Sequence, residues 1–137
     1  MTYIPWLADI SSGKFKILGK GDKRASFTHP EDIAGFTAYV ITHLQPSQLA
    51  NKIFRIEGER ATLLDISKLY ASKVPVEHVD EFTGDHGAFK NFLHGLIESS
   101  EGSVAYDIQS KDLVGDGLSN GFWEGHQWKG IKESLGL

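Results

Sequence analysis

The sequence predicts a mixed α/β or α+β domain, a small mixed sheet with about four helices, on three observations. Segments with apolar residues at helical spacing alternate along the chain with short strand-like runs. A length of 137 residues with 40% hydrophobic and 23% charged residues suits one core, so residues 1–137 are expected to form a single domain. Three Trp and eight Phe supply enough apolar surface to offset the ordering entropy of the chain, which argues against disorder.

Phe15 to Leu18 and Ala25 to Thr28 flank the turn Gly19 to Asp22 and predict a hairpin or two short strands. Gly19-Lys20-Gly21 is read as that turn. A phosphate loop of the dinucleotide type needs a third glycine opening a helix, and here charged residues and a strand-like run follow. Pro30 suits the first turn of a helix, Glu31 and Asp32 complement its positive end, and Ile33, Phe36, Val40, Ile41 and Leu44 continue at helical spacing up to Pro46. Asn51 to Glu57 (NKIFRIE) predicts a strand with one buried face, stopped by Gly58.

Thr62 before Leu63-Leu64-Asp65 has the pattern of a helix cap, and Leu63, Ile66, Leu69 and Tyr70 carry a second helix over Leu63 to Ser72. Val74 to Val79 alternates as a strand, and Pro75 assigns it to a sheet edge. Phe89, Phe92, Leu93, Leu96 and Ile97 mark a third helix over Gly87 to Ser99, begun by the Gly84-Asp85 region. Gly102 to Gly121 reads as irregular; Phe122, Trp123, Trp128, Ile131 and Leu135 then predict a final helix ending at Gly136.

Several function classes fall away. The chain has no cysteine, which removes disulfide scaffolds, thiolate metal sites and cysteine nucleophiles and suits a reducing compartment. The start MTYIPWLADISS lacks the basic and continuous apolar regions of a signal peptide, and no apolar run approaches the roughly 20 residues that cross a bilayer. A cytoplasmic location without membrane partners is expected. The net charge of -4 gives no basic footprint for nucleic acid.

The chemistry-bearing residues are few. His78, Asp80, Glu81, Asp85 and His86 offer metal-ligand types, but their spacing fits no ligand motif and a solvated loop collects the same residues. Asp112, Asp116, Ser119 and Asn120 lack the alternating acids of a calcium loop. No metal site, catalytic residue or cofactor site is assigned. Tyr70 and Lys73 share a helix face, one residue short of the Tyr-x-x-x-Lys pair of short-chain reductases. Four residues remain as ligand candidates: His29 and Asp32, an imidazole and an acid able to move a proton in a cleft, and Trp123 and Trp128, able to stack on a sugar or planar ligand. Helix capping accounts for the first pair and core packing for the second.

Three segments taken together, GKFKILGKGDKRASFTHPEDIAGFTAYVITHL, NKIFRIEGERATLLDISKLY and FWEGHQWKGIKESLGL, resemble the C-terminal half of NmrA-like and isoflavone-reductase-like proteins, atypical short-chain dehydrogenases/reductases, especially of fungal type. The likeness runs from about Ile4 to Leu137. It implies the substrate-side part of such a protein without the N-terminal Rossmann half, whose glycine-rich turn and sheet bind NAD(P). On that basis the chain is expected to be a stand-alone, non-enzymatic binding or interaction protein with a protein or glycan partner, of which a fungal immunomodulatory protein is one form. A homo-oligomer, most simply a homodimer paired through Asn51 to Glu57, or a rearranged sheet is expected to cover the exposed edge. The alternative is a fragment of an NAD(P)-dependent oxidoreductase or NAD(P)-sensing regulator completed by another polypeptide.

Overall fold

The computed structural model describes residues 3–70, 73–113 and 117–137. In chain order the elements are α1 (Tyr3–Leu7), β1 (Phe15–Leu18), β2 (Arg24–Phe27), α2 (Pro30–His43), α3 (Pro46–Leu49), β3 (Glu59–Thr62), α4 (Leu63–Leu69), β4 (Val76–Val79), α5 (Gly87–Glu98), β5 (Tyr106–Asp107), β6 (Asp112–Leu113) and α6 (Ile131–Leu135). The mixed α/β class is the one predicted. The strands form separate two-stranded pairs: β1 with β4 in parallel, β2 with β3 antiparallel, and β5 with β6 antiparallel.

The two strands around Gly19 to Asp22 therefore exist but do not form a hairpin with each other. Gly19 and Gly21 take left-handed φ angles of 81° and 71°, and the Lys20 and Gly21 N–H groups donate to the carboxylate of Glu98 on α5 at 3.0 and 2.7 Å. That grip holds the link away from a two-residue reversal, and the chain passes from one pair to the next.

β1 is the most enclosed strand. Phe15 and Ile17 are fully buried and pack with Ile4, Leu7, Ala8, Leu63, Ile66, Ile97 and Ile131. Its edge away from β4 is closed: Lys16 N–H donates to Ala8 C=O at 2.8 Å and Leu18 N–H to His94 Nδ1 at 3.4 Å. His94, completely buried on α5, also hydrogen-bonds through Nε2 to Leu7 C=O at 3.2 Å. An imidazole that accepts at Nδ1 and donates at Nε2 is neutral, and burial pushes its pKa down.

The buried face of α5 is not simply its apolar residues. The helix runs over Gly87–Glu98 as predicted, but it buries Gly87, Lys90, His94 and Ile97, while Phe89 and Phe92 are 53% and 59% exposed. Lys90 reaches inward because its ammonium lies 3.4 Å from Asp9 Oδ1 and over the rings of Trp6 and Phe82. Asp9 also pairs with Lys16 at 2.6 Å, which lowers its pKa.

The Thr62 cap is as expected, its hydroxyl accepting from Asp65 N–H at 3.0 Å. α4 ends at Leu69, and Ala71 and Ser72 of its expected C-terminal end lie outside the described residues. The final helix is shorter than predicted: Ile131–Leu135, closed by Gly136 in the left-handed conformation. Phe122 belongs to a 3-10 turn and Trp123 and Trp128 to irregular chain, because they pack by ring contacts against α2.

Segment 52–57 departs most from expectation. It forms no strand; the strand lies after Gly58, at Glu59–Thr62. The β2–β3 ladder ends at Phe27 opposite Glu59, and after only Thr28 and His29 the chain turns into α2 at Pro30. The partner that would have continued the ladder along 52–57 leaves to become a helix. Gly58 marks the narrow point, since a side chain there would meet Phe27 O at 2.9 Å and Lys129 O at 2.8 Å.

Candidate functional site

The four candidate ligand residues gather around α2, in a different arrangement from the one their sequence positions suggest. His29 is the cap of α2, its Nδ1 accepting from Glu31 N–H at 3.2 Å. Asp32 is not its partner: it is buried, accepting from His126 Nε2 at 2.9 Å and from Lys129 N–H at 2.8 Å. His126 lies flat on Trp123, with centroids 3.5 Å apart and planes at 3°. Trp123 contacts Tyr39, Tyr39 stacks on His43 at 4.1 Å, and Trp128 sets its edge against Trp123 and its ring against Phe36. Asp32, Gly35, Tyr39 and His43 form one stripe of α2, each about one turn from the next. Gly35 belongs there because a Cβ would come within 2.4 Å of the Trp123 ring. The aromatic and acidic candidates thus clasp the C-terminal segment to α2, the two Trp through ring contacts and Asp32 through its carboxylate.

The other constellations resolve in the same way. His78 hydrogen-bonds Gly19 C=O at 2.7 Å and His86 meets the edge of Trp6. Among the described residues no group of three His, Asp or Glu side chains is placed to hold a metal. The two amides of the glycine turn that a phosphate would require are occupied by Glu98. Tyr70 has a buried hydroxyl without a hydrogen-bond partner among the described residues, and burial pushes its pKa up. Asp116 lies outside the described residues, while Ser119 and Asn120 have a structural task.

That task defines the candidate site. Ser119 N–H donates to Arg55 C=O at 2.6 Å and Ser119 Oγ accepts from Arg55 N–H at 3.0 Å. Asn120 Oδ1 accepts from Glu57 N–H at 3.1 Å and its Nδ2 donates to Glu57 C=O at 2.7 Å. Backbone and side chains of these two residues act as a surrogate strand for one edge of segment 52–57. Glu57 is further tied to Arg60 Nε at 2.9 Å and to the Ser26 hydroxyl.

In extended chain the odd and even residues direct their peptide groups to opposite edges. The edge of Arg55 and Glu57 is taken. On the other, no described residue hydrogen-bonds to the N–H or C=O of Phe54, the N–H of Ile56 or the C=O of Lys52. Ile56 C=O receives only a 3.4 Å contact from the Thr28 hydroxyl.

Side chains alternate as the sequence predicts: Ile53 is 78% exposed and Arg55 exposed, while Phe54 and Ile56 are half-buried. Phe54 packs edge-on to Phe36 and Phe122. Together with Ile33, Phe36, Thr37 and Val40 of α2, and with Thr28 and Val104, Phe54 and Ile56 line an apolar groove of about 440 Å³. The expected one-sided burial is present, but the buried face is only partly covered.

A smaller cavity of about 220 Å³ lies beside His29, Lys129, Tyr3, Phe27 and Ile131. Its cation is paired, since Lys129 Nζ binds the Glu31 carboxylate and lowers its pKa. The larger groove was legible only in part: the α2 stripe and the NKIFRIE alternation identify its walls, but both read as core. Among the described residues no helix is long and apolar enough to cross a membrane. No protein-family model, curated protein or solved structure matches the chain.

Proposed function

We propose that the chain is a binding module that accepts an extended strand of a polypeptide, and that it is not by itself an oxidoreductase. The observation that supports this most directly is the one-sided pairing of segment 52–57 beside an apolar groove. A strand laid along the open edge has the Phe54 and Ile56 amides and the Phe54 and Lys52 carbonyls to bond, with apolar side chains entering the groove. Main-chain bonds of this kind contribute about 0.5–1.5 kcal/mol each, and the groove selects among partners. Titration of the 15N-labelled chain with the synthetic hexapeptide Lys-Ile-Phe-Arg-Ile-Glu tests the reading. Shifts concentrated at Phe54, Ile56, Ile33 and Val40 are expected; a titration that leaves these signals unmoved overturns it.

The resemblance to NmrA-like proteins favours a second reading. Here the strand on the edge belongs to a cofactor-binding polypeptide, and the pair forms an NAD(P)-dependent oxidoreductase or NAD(P)-sensing regulator. The β1–β4 pair adds support, since parallel strands usually belong to larger sheets covered on both faces. Calorimetry with NADPH separates the two. Tight binding by this chain alone counts against the first reading, whereas binding only after addition of a glycine-rich strand-turn-helix polypeptide supports the second.

A further inference from the structure

We propose that the smaller cavity, beside the first turn of α2, binds a small uncharged ring compound carrying one oxygen acceptor, of which a phenol is the simplest. The site is separate from the open edge: of the residues that line the two spaces, only Thr28 borders both. Size sets the first limit on the ligand. An apolar cavity of about 150 Å³ is enough to hold benzene, and this one, at about 220 Å³, has room for a six-membered ring with a short substituent. Tyr3, Ile4, Phe27, Pro30 and Ile131 give it aromatic and aliphatic walls against which a ring packs. Charge sets the second limit. The Lys129 ammonium on the wall is already held by the Glu31 carboxylate, and an anionic ligand would have to break that pair.

Hydrogen bonding then fixes where the acceptor lies. The Ser26 hydroxyl donates to the Glu57 carboxylate and accepts from Val104 N–H at 3.0 Å. The Thr28 hydroxyl lies 3.4 Å from both Ile56 C=O and Gly58 N–H, and the Ser134 hydroxyl donates to Gly130 C=O at 2.8 Å. His29 and Tyr3 remain. His29 Nδ1 accepts from Glu31 N–H at 3.2 Å, and a neutral imidazole that accepts at one nitrogen carries its proton on the other. Capping α2 therefore makes Nε2 a donor, and that donor has no partner among the described residues. The Tyr3 hydroxyl also has none, and its residue, 71% exposed, stands at the mouth. A phenol in the cavity accepts from His29 Nε2–H, packs its ring on Phe27 and Ile131, and leaves its own proton for water or the Tyr3 oxygen.

Titration of the 15N-labelled chain with phenol, followed at the backbone amides and the imidazole ring nitrogens, tests the site. Half-saturation at about 1 mM is expected for so small a ligand, with shifts at Phe27, Thr28 and Ile131 and at His29 Nε2 rather than Nδ1. Toluene, of the same size without the acceptor, is expected to move Phe27 and Ile131 and leave Nε2 in place. His29→Asn keeps a side-chain acceptor for the cap and removes the Nε2–H donor. It is expected to keep the urea midpoint and to weaken phenol at least fivefold more than it weakens toluene. Phenol that leaves Phe27, Ile131 and Nε2 unmoved overturns the site. A proton found on Nδ1 overturns the role of the cap, and equal weakening of phenol and toluene by His29→Asn overturns the acceptor contact. None of these results bears on the strand-docking edge, whose markers Phe54 and Ile56 do not line this cavity.

Discussion

β1 and segment 52–57 are both short, extended and apolar on one side, yet one is sealed and the other is half open. On β1, β4 takes one edge, and Ala8 C=O with His94 takes the other. On 52–57, Ser119 and Asn120 take one edge and the second is left. A sheet edge need not be closed by a strand; one carbonyl and one imidazole suffice for four residues. Where no such group is supplied, the edge is a template for another chain.

Removing the seal on β1 should have the largest effect. His94→Ala leaves a cavity in the core and orphans the Leu18 N–H and Leu7 C=O, so a loss of about 3 kcal/mol is expected in urea unfolding. The seal is also acid-sensitive. Burial lowers the pKa of His94, so the unfolded chain binds a proton that the folded one refuses. Stability is complete above the ordinary imidazole value of about 6.5 and is lost as pH falls below it toward the folded value. Asp9, with its lowered pKa, adds to the loss only in the lower carboxylate range. A denaturant midpoint flat between pH 7.5 and 5 would show that His94 is not held neutral.

The clasp beside the open region comes next. Gly35→Val drives a side chain into the Trp123 ring, and a loss of about 2 kcal/mol with altered tryptophan fluorescence is expected. A Trp123 spectrum identical to the parent would disprove the close approach. Ser119→Ala removes the acceptor of Arg55 N–H, with an expected cost of about 1 kcal/mol and faster hydrogen exchange at Arg55, while the Ser119 backbone and Asn120 still hold the rest of that edge. Ile53→Lys should change unfolding free energy by less than about 0.5 kcal/mol, since surface substitutions away from packed features rarely do more. A larger loss would mean that Ile53 is packed within the monomer.

Local patterns were legible wherever the cause is local. Pro30 with Glu31 and Asp32, the Thr62 hydroxyl and Gly136 each act on peptide groups within one turn, and α2, α4 and the end of α6 follow them closely. The apolar residues of α5 marked the helix but not the face it buries, because Asp9, Leu7 and Leu18, which meet Lys90 and His94, come from more than 70 positions away. Trp128 and Ile131 sit three apart, as in a helix, yet Trp128 packs on Phe36 from irregular chain. His29 and Asp32 are neighbours in sequence and serve different partners.

Composition and periodicity by themselves determined the mixed α/β class, with extended and helical segments near their expected places. Tertiary structure decided which segments pair. NKIFRIE has the alternation of a strand, but a strand exists only where a second backbone lies alongside, and α2 removes that backbone at Pro30. Alternation reports how side chains divide between two faces. It carries no information about the perpendicular direction, along which peptide groups bond, so the open edge of Phe54 became visible only when the chain was folded.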